Sequence, residues 1–342
     1  MNQRVEFADK AREKPLLSIV VPVFNERAML PLFVKRVFPT LGTLDVCWEM
    51  VMVDDGSTDG SADYIKDLVT SKPGVRLVKL SRNFGKEAAL TAGLENARGD
   101  AVIIIDADLQ DPPEHIPAMV DCWRTGTDVV LMQRRSRAGE TLFKRWSAHL
   151  FYRLLSRTSR TDIPVDTGDF RLMSRMAVDI LLQLKERNRY MKGLFAWIGL
   201  PTQVIQYDRD PRAAGDTKWD YPGLVGLAIE GLTSFSVSPL RWATIIGLLA
   251  ASVGALFGVW IVVKAMVLGV ATSGYPSLVA IISFLGGIQL LSIGIVGEYV
   301  GKTYMESKQR PVYVTEEVVE NPHRRYQSSE NPQAGERYVK AV

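Results

Sequence analysis

Histidine and cysteine are scarce in this chain of 342 residues, with three of the first and two of the second. His115, His149 and His323 have no mutual spacing suited to a metal. Cys47 and Cys122 give neither a disulfide framework nor a zinc-type cluster, and a reduced cytoplasmic setting is the expectation. Charge of one sign is also lacking. Forty-one Lys and Arg stand against 38 Asp and Glu, and a net charge of +3 is too small to signal nucleic-acid binding. No internal repeat is present. Residues 1–15 are polar, without an apolar core of signal-peptide type, which predicts a head that is not secreted.

Two long stretches lack charge altogether. From Trp242 to Val263 there are 22 residues without a formal charge, and after Lys264 none occurs from Ala265 to Gly297. Twenty-two helical residues span about 33 Å, enough for a hydrocarbon core of about 30 Å. The reading is a membrane protein with a large water-soluble head. Two transmembrane segments, Leu240–Val267 and Pro276–Val300, are joined by a short turn near Gly274-Tyr275-Pro276. Positive charge flanks the pair in the head and in the tail from Lys302, predicting both on the cytoplasmic side. Arg241 and Trp242 would anchor the first helix, and Gly286, Gly287, Gly294, Gly297 and Gly301 permit close contact within the hairpin or between subunits. The division is then a polar segment 1–15, a head 16–238, a helix pair 239–301 and a tail 302–342, polar enough beyond Glu320 for disorder.

What the head does contain is alternation. Leu17–Val23, Met50–Val53, Val75–Leu80 and Ala101–Ile105 are short, β-branched apolar runs, and Ala28–Phe38 and Ser61–Val69 have helical spacing between them. Strands alternating with helices predict an α/β fold with a mostly parallel, doubly wound sheet. Ligands in such sheets bind beyond the carboxyl ends of the strands, where the acidic residues of these runs fall. Between Arg134 and Arg160, eight Arg or Lys residues face one acid, Glu140, and interleave with Leu142, Phe143, Trp146, Leu150, Phe151, Leu154 and Leu155. That pattern reads as a helix lying at an anionic membrane surface, with an ordinary packed helix as the alternative.

The strongest local signal is Asp106-Ala107-Asp108-Leu109-Gln110, directly after Val102–Ile105. Two carboxylates one residue apart, with an amide oxygen nearby, can share Mg2+ or Mn2+, which take hard oxygen donors and keep positions open for phosphates. A bare Asp-x-Asp is also a common solvated turn. Here Asp54-Asp55-Gly56-Ser57 and Pro22-Val23-Phe24-Asn25-Glu26 end two further strands. Carboxylates suit ribose hydroxyls and a base edge, and Phe24 offers an apolar surface, so convergence on one edge favours a nucleotide site.

In that order, Val-Pro-Val-Phe-Asn-Glu, Asp-Asp-Gly-Ser and Asp-Ala-Asp-Leu-Gln-Asp-Pro-Pro-Glu resemble the family 2, GT-A-fold glycosyltransferases. Within them the chain looks like the polyprenyl-phosphate enzymes, the dolichol-phosphate mannose synthases and bactoprenol glucosyltransferases. The likeness runs from about Leu16 to Arg310, and Asp106 to Glu114 is its specific part. It implies a GT-A, Rossmann-like domain in which Pro22, Phe24, Glu26, Asp55, Asp106, Ala107, Asp108 and Lys86 hold a nucleotide sugar. Asp106, Asp108 and Gln110 would hold the metal. Asp169, in Asp166-Thr167-Gly168-Asp169-Phe170-Arg171, matches an essential aspartate, catalytic alongside Asp108, as base or as an orienting group; a helix cap is the alternative. Arg134, Arg145, Arg212 and Lys218 match phosphate-binding positions for acceptor and diphosphate.

Two departures stand out: Phe24 replaces a frequent Tyr, and Gly215-Asp216-Thr217-Lys218-Trp219 is a polar variant of the commoner Gly-Glu-Ser-Lys-Tyr. The implied activity is inverting transfer of a hexose, glucose from UDP-glucose by likeness of the Asp166–Arg171 segment, to undecaprenyl phosphate. The implied setting is a bacterial inner membrane, multi-pass, with both termini cytoplasmic and tetramers by analogy. Mannose and aminoarabinose are alternative sugars. A processive polysaccharide synthase is a rival, although its Gln-x-x-Arg-Trp is broken here by Ser238 before Arg241-Trp242. A non-catalytic binding module is another, although the metal aspartates and phosphate cations are all in place.

Overall fold

The computed structural model describes residues 14–135, 167–184, 186–187, 189, 191–208, 238–268 and 274–321. The first half alternates as β1 (Leu16–Val23), α1 (Leu30–Gly42), β2 (Cys47–Asp54), α2 (Ser61–Ser71), β3 (Val75–Leu80), α3 (Lys86–Asn96) and β4 (Ala101–Ile104). A single 3-10 turn at Pro113–His115 leads into α4 (Ile116–Arg124) and β5 (Val129–Arg134). Then come β6 (Thr167–Ser174), α5 (Arg175–Gln183), α6 (Met191–Trp197) and β7 (Thr202–Tyr207). Two long helices, α7 (Ser238–Leu268) and α8 (Tyr275–Ser307), precede the last strand, β8 (Thr315–Glu320).

The eight strands form one sheet in the order β7-β5-β6-β4-β1-β2-β3-β8. Strands β4, β1, β2 and β3 are parallel. β6 is antiparallel to β4 and β5, β7 is parallel to β5, and β8 is antiparallel to β3. Layers of helix cover both faces. Leu17, Ile19 and Val21 of β1 meet Phe33, Ile65 and Met119 from α1, α2 and α4, while Val20 turns to Leu90, Val178 and Leu194 from α3, α5 and α6. Burial on both faces is why β1 and β2 read as continuous apolar runs rather than alternating ones.

Helix α3 lies unusually close to the sheet. A methyl on Gly93 would sit 2.3 Å from Val20 Cγ1 and 3.2 Å from Val53 Cγ2. Its neighbours Ala88, Ala89 and Ala92 are also small and buried, so the helix settles against β1 and its first residue reaches the carboxyl edge of the sheet.

β8 falls in the segment that the sequence marks only as a tail. Its sequence, Thr-Glu-Glu-Val-Val-Glu, has little apolar content. It pairs antiparallel with β3, Val319 packs against the core, and ion pairs flank the ladder: Lys66–Glu317 at 2.7 Å, Lys79–Glu316 at 3.0 Å and Arg76–Glu320 at 3.1 Å. The chain thus returns from α8 to the outer edge of the sheet, and residues 315–320 belong to the α/β unit.

Leu240–Trp260 in α7 and Phe284–Ser307 in α8 are long and apolar enough to cross a membrane, and 6% and 0% of these windows are buried. They are therefore not core helices. Among the described residues, a methyl added at Gly286, Gly287, Gly294, Gly297 or Gly301 meets nothing, so these glycines do not make the α7–α8 contact.

Gly93→Ala should destabilise the protein by about 1–3 kcal/mol through overpacking, and Val20→Ala in the same chain should recover part of it. Thermal unfolding of the full chain in detergent checks this; a neutral Gly93→Ala would contradict the close approach.

Candidate active site

The carboxyl edge of β1 and β2 is built from loops laced to one another. Asn25 has a left-handed backbone (φ 54°), its N–H donates to Ser57 Oγ at 2.9 Å, and its Oδ1 accepts from Thr58 N at 2.9 Å. Glu26 N donates to Ser61 Oγ at 3.1 Å, and Arg27 N to Asp59 Oδ2 at 2.9 Å. Ser57 and the residues that follow it to Ser61 therefore fix the backbone that carries Phe24 and Glu26. Phe24 stays 37% exposed at the rim, and Glu26 and Pro22 are half-buried.

Asp55 faces the third loop. Its Oδ1 accepts from Phe84 N at 2.7 Å and its Oδ2 from Gly85 N at 2.9 Å. Gly56 (φ +67°) seals the same junction, since a Cβ there would lie 2.5 Å from the Arg82 carbonyl carbon and 2.6 Å from Asn83 N. Asp54 is fully buried, with Oδ2 accepting from Ser57 N at 3.2 Å and Oδ1 without a hydrogen-bond partner. Burial pushes both carboxyls above the usual carboxylate range, against the amide donors that hold them.

The second half of the site follows from strand direction. Because β6 is antiparallel to β4, with Ile104 opposite Arg171, the start of β6 lies at the same edge as the end of β4. Asp106 and Asp169 thereby come level. Lys86, at the start of α3, joins them: its Nζ is 2.7 Å from Asp106 Oδ2 and 2.6 Å from Asp169 Oδ2. Desolvation acts to lower the Lys86 pKa, but the two carboxylates outweigh it and hold the ammonium well above its ordinary value. Asp169 lies inside a strand, so it is not a helix cap.

Asp106 keeps its other oxygen, Oδ1, buried and without a hydrogen-bond partner. Asp108 is 9% exposed, and its Oδ1 accepts from Gln110 N at 3.1 Å around a left-handed Leu109 (φ 56°). Ala107 is buried in the apolar cluster beneath. Among the described residues no group of three His, Cys, Asp or Glu side chains is arranged around a common point. An oxygen-rich pair with one orphaned oxygen does fit a hard divalent ion whose remaining positions a diphosphate fills.

Arg134 ends β5 at this edge. Burial would lower its pKa, yet Tyr207, Asp111 and Asp106 raise it, and its Nε has no hydrogen-bond partner. Sequence reasoning gave Tyr207 and Asp111 no role. The Tyr207 hydroxyl, 1% exposed, donates to Asp111 Oδ1 and also bonds Arg134. Asp111 lies within the Asp106–Glu114 stretch, but its partner is 96 residues away, so no local spacing could have found the pair. Arg171 closes the Asp166–Arg171 motif. It is buried, donates through Nη2 to Gly168 O at 2.7 Å, and lies 3.7 Å from the centre of the Phe195 ring. Burial brings its pKa down to about 10 despite Asp169 and Glu87. Arg145, Arg212, Lys218 and the basic apolar stretch from 136 onward lie outside the described residues.

The family model described as glycosyl transferase family 2 matches residues 18–181, the span from β1 into α5. An uncharacterized glycosyltransferase of Synechocystis sp. is 45% identical over 302 residues, 88% of this chain and 95% of that one. A prophage bactoprenol glucosyl transferase homolog of Escherichia coli is 47% identical over 304 residues, 88% and 99% respectively. The bactoprenol glucosyl transferase of Shigella phage SfV is 47% identical over 300 residues, 87% and 97%. Among solved structures, glucosyl-3-phosphoglycerate synthase from Mycobacterium tuberculosis matches with a TM-score of 0.44 and 22% identity over 64% of this chain and 78% of that one, too distant to bear on the site. The chain belongs to glycosyl transferase family 2, with a GT-A-type α/β domain, and is a glycosyltransferase.

The raised pKa of Asp54 sets a sign for acid stability. The folded state binds its proton at higher pH than the unfolded chain, so this group adds stability as pH falls through the folded pKa. Replacing it by Asn removes that gain. The melting temperature of Asp54→Asn relative to wild type should therefore fall as the pH is lowered from neutral through the acid range; the opposite trend would show that Asp54 is held as a stabilised carboxylate.

Proposed function

We propose that the protein moves glucose from UDP-glucose to a polyprenyl phosphate of the undecaprenyl type, at the cytoplasmic face of a bacterial plasma membrane. The observation that carries this is the meeting of Asp106, Lys86 and Asp169 at one sheet edge beside Arg134. It stands in a chain that matches bactoprenol glucosyl transferases over almost their whole length. UDP would lie across the laced loops, its base against Phe24, its ribose toward Glu26, and Pro22 shaping the floor. Asp55 acts by holding the Phe84–Gly85 amides, which fixes the loop that leads into Lys86.

Asp106 and Asp108, with Gln110, would hold Mg2+ or Mn2+, which supplies charge stabilisation to a leaving diphosphate. The acceptor is a phosphate monoester with a second pKa of about 6. It is largely ionised at neutral pH and needs no strong base. Asp169, already paired with Lys86, is better suited to orienting the sugar and the lysine than to removing a proton. The acceptor oxygen attacks the anomeric carbon opposite the leaving UDP, inverting it. Arg134, joined by Arg145, Arg212 and Lys218, supplies the cations for acceptor and diphosphate, with arginine gripping phosphate through two parallel N–H bonds.

The helix pair would lie in the bilayer with head and tail cytoplasmic, and the glycine-lined face of α8 is open to another copy of the chain. In that arrangement residues 16–238 with the returning β8 form the catalytic unit, 239–301 the anchor. Mannose and aminoarabinose remain alternative sugars, since hydroxyl selectivity rests on a few hydrogen bonds.

Purified protein in detergent, given undecaprenyl phosphate, Mn2+ or Mg2+ and a panel of radiolabelled nucleotide sugars, should move label into the organic phase from UDP-glucose. EDTA should abolish transfer, and Asp108→Asn should lower it about 100-fold or more. Label from a different donor would reassign the sugar. No lipid-phase label from any donor, with folded protein, would contradict the reading.

A further inference from the structure

The Lys86 ammonium touches the carboxylate pair at the place where a divalent ion has to bind. Of the three groups it has the longest and most exposed side chain. Asp106 and Asp169 are 23% and 14% exposed and sit at strand ends fixed by the β4–β6 register. Lys86 is 44% exposed on a flexible four-carbon stem, while its backbone is held by the bonds from Phe84 and Gly85 to Asp55. Of the two Asp106 oxygens, Oδ2 is taken by the lysine and Oδ1 is buried without a hydrogen-bond partner. A cation binding both would have to displace the ammonium from Oδ2.

We propose that Lys86 is the resident counter-ion of this carboxylate pair and exchanges with the metal. Without donor it neutralises Asp106 and Asp169. When metal and nucleotide arrive, its ammonium leaves Asp106, keeps Asp169 and turns to the diphosphate. Metal alone must displace a paired cation that gains no new partner; with UDP present the displaced ammonium gains one. Metal and nucleotide therefore bind with positive coupling, and the coupling is reciprocal. This rests on the metal reading above.

The test is Mn2+ binding to the full-length protein in detergent, followed by the electron paramagnetic resonance signal of free Mn2+, with and without UDP. Lys86→Gln should bind Mn2+ without nucleotide about 10- to 100-fold more tightly than wild type, since no cation then competes for Asp106, and the gain in affinity given by UDP should shrink by the same factor. Lys86→Arg, which keeps the charge, should stay near wild type. Arg134→Gln removes a neighbouring cation and should change metal affinity far less. An unchanged nucleotide-free affinity in Lys86→Gln, or an equal rise in Arg134→Gln, would overturn the exchange while leaving the metal reading intact. No Mn2+ binding by wild type even with UDP would overturn both. Should Lys86→Gln unfold without metal, its melting temperature is read across Mn2+ concentrations: recovery supports the exchange, and failure to recover overturns it.

Discussion

A single ammonium group joins the parts of this site that the chain builds separately. Lys86 begins a helix, Asp106 follows a parallel strand, and Asp169 opens an antiparallel one, yet all three meet within hydrogen-bond distance. Direction makes this meeting available. A parallel strand presents its end at the carboxyl edge, whereas β6, inserted against the grain between β4 and β5, presents its beginning. Remove the positive charge and two carboxylates face one another across a partly dry edge, where like charges repel strongly.

The β1–β2 side of the edge rests on a different device. Buried carboxyls at Asp54 and Asp55 bind backbone amides rather than cations, and Gly56 lets two loops touch backbone to backbone. Burial disfavours ionisation of both groups, and the amide donors only partly offset it. What results is a rigid seam below Phe24 and Glu26.

Much of this was legible in the residues. The β1, β2, β3 and β4 runs stop near acids, and doubly wound topology places those stops on one edge, so Asp55 and Asp106 could be brought together before any coordinates. Asp169 could be placed only through a family motif, because nothing local says that β6 runs antiparallel. Tyr207 and Asp111 escaped for a related reason: a buried hydroxyl–carboxylate bond between residues 96 apart leaves no periodic trace. β8 escaped because three of its six residues are glutamate, paired with Lys66, Lys79 and Arg76, so it carries no apolar run to mark a strand. The two uncharged stretches needed no such help, since length and composition alone mark them as able to span a bilayer.

The central claim is that one sheet edge holds metal and nucleotide through Asp106 and Asp108. Crystals of the full chain grown with UDP and Mn2+, measured at the manganese absorption edge, test it most directly. The account predicts an anomalous peak between Asp106 and Asp108 with the Lys86 ammonium moved off Asp106. A peak elsewhere, or nucleotide bound at this edge with no metal beside those two aspartates, would contradict it.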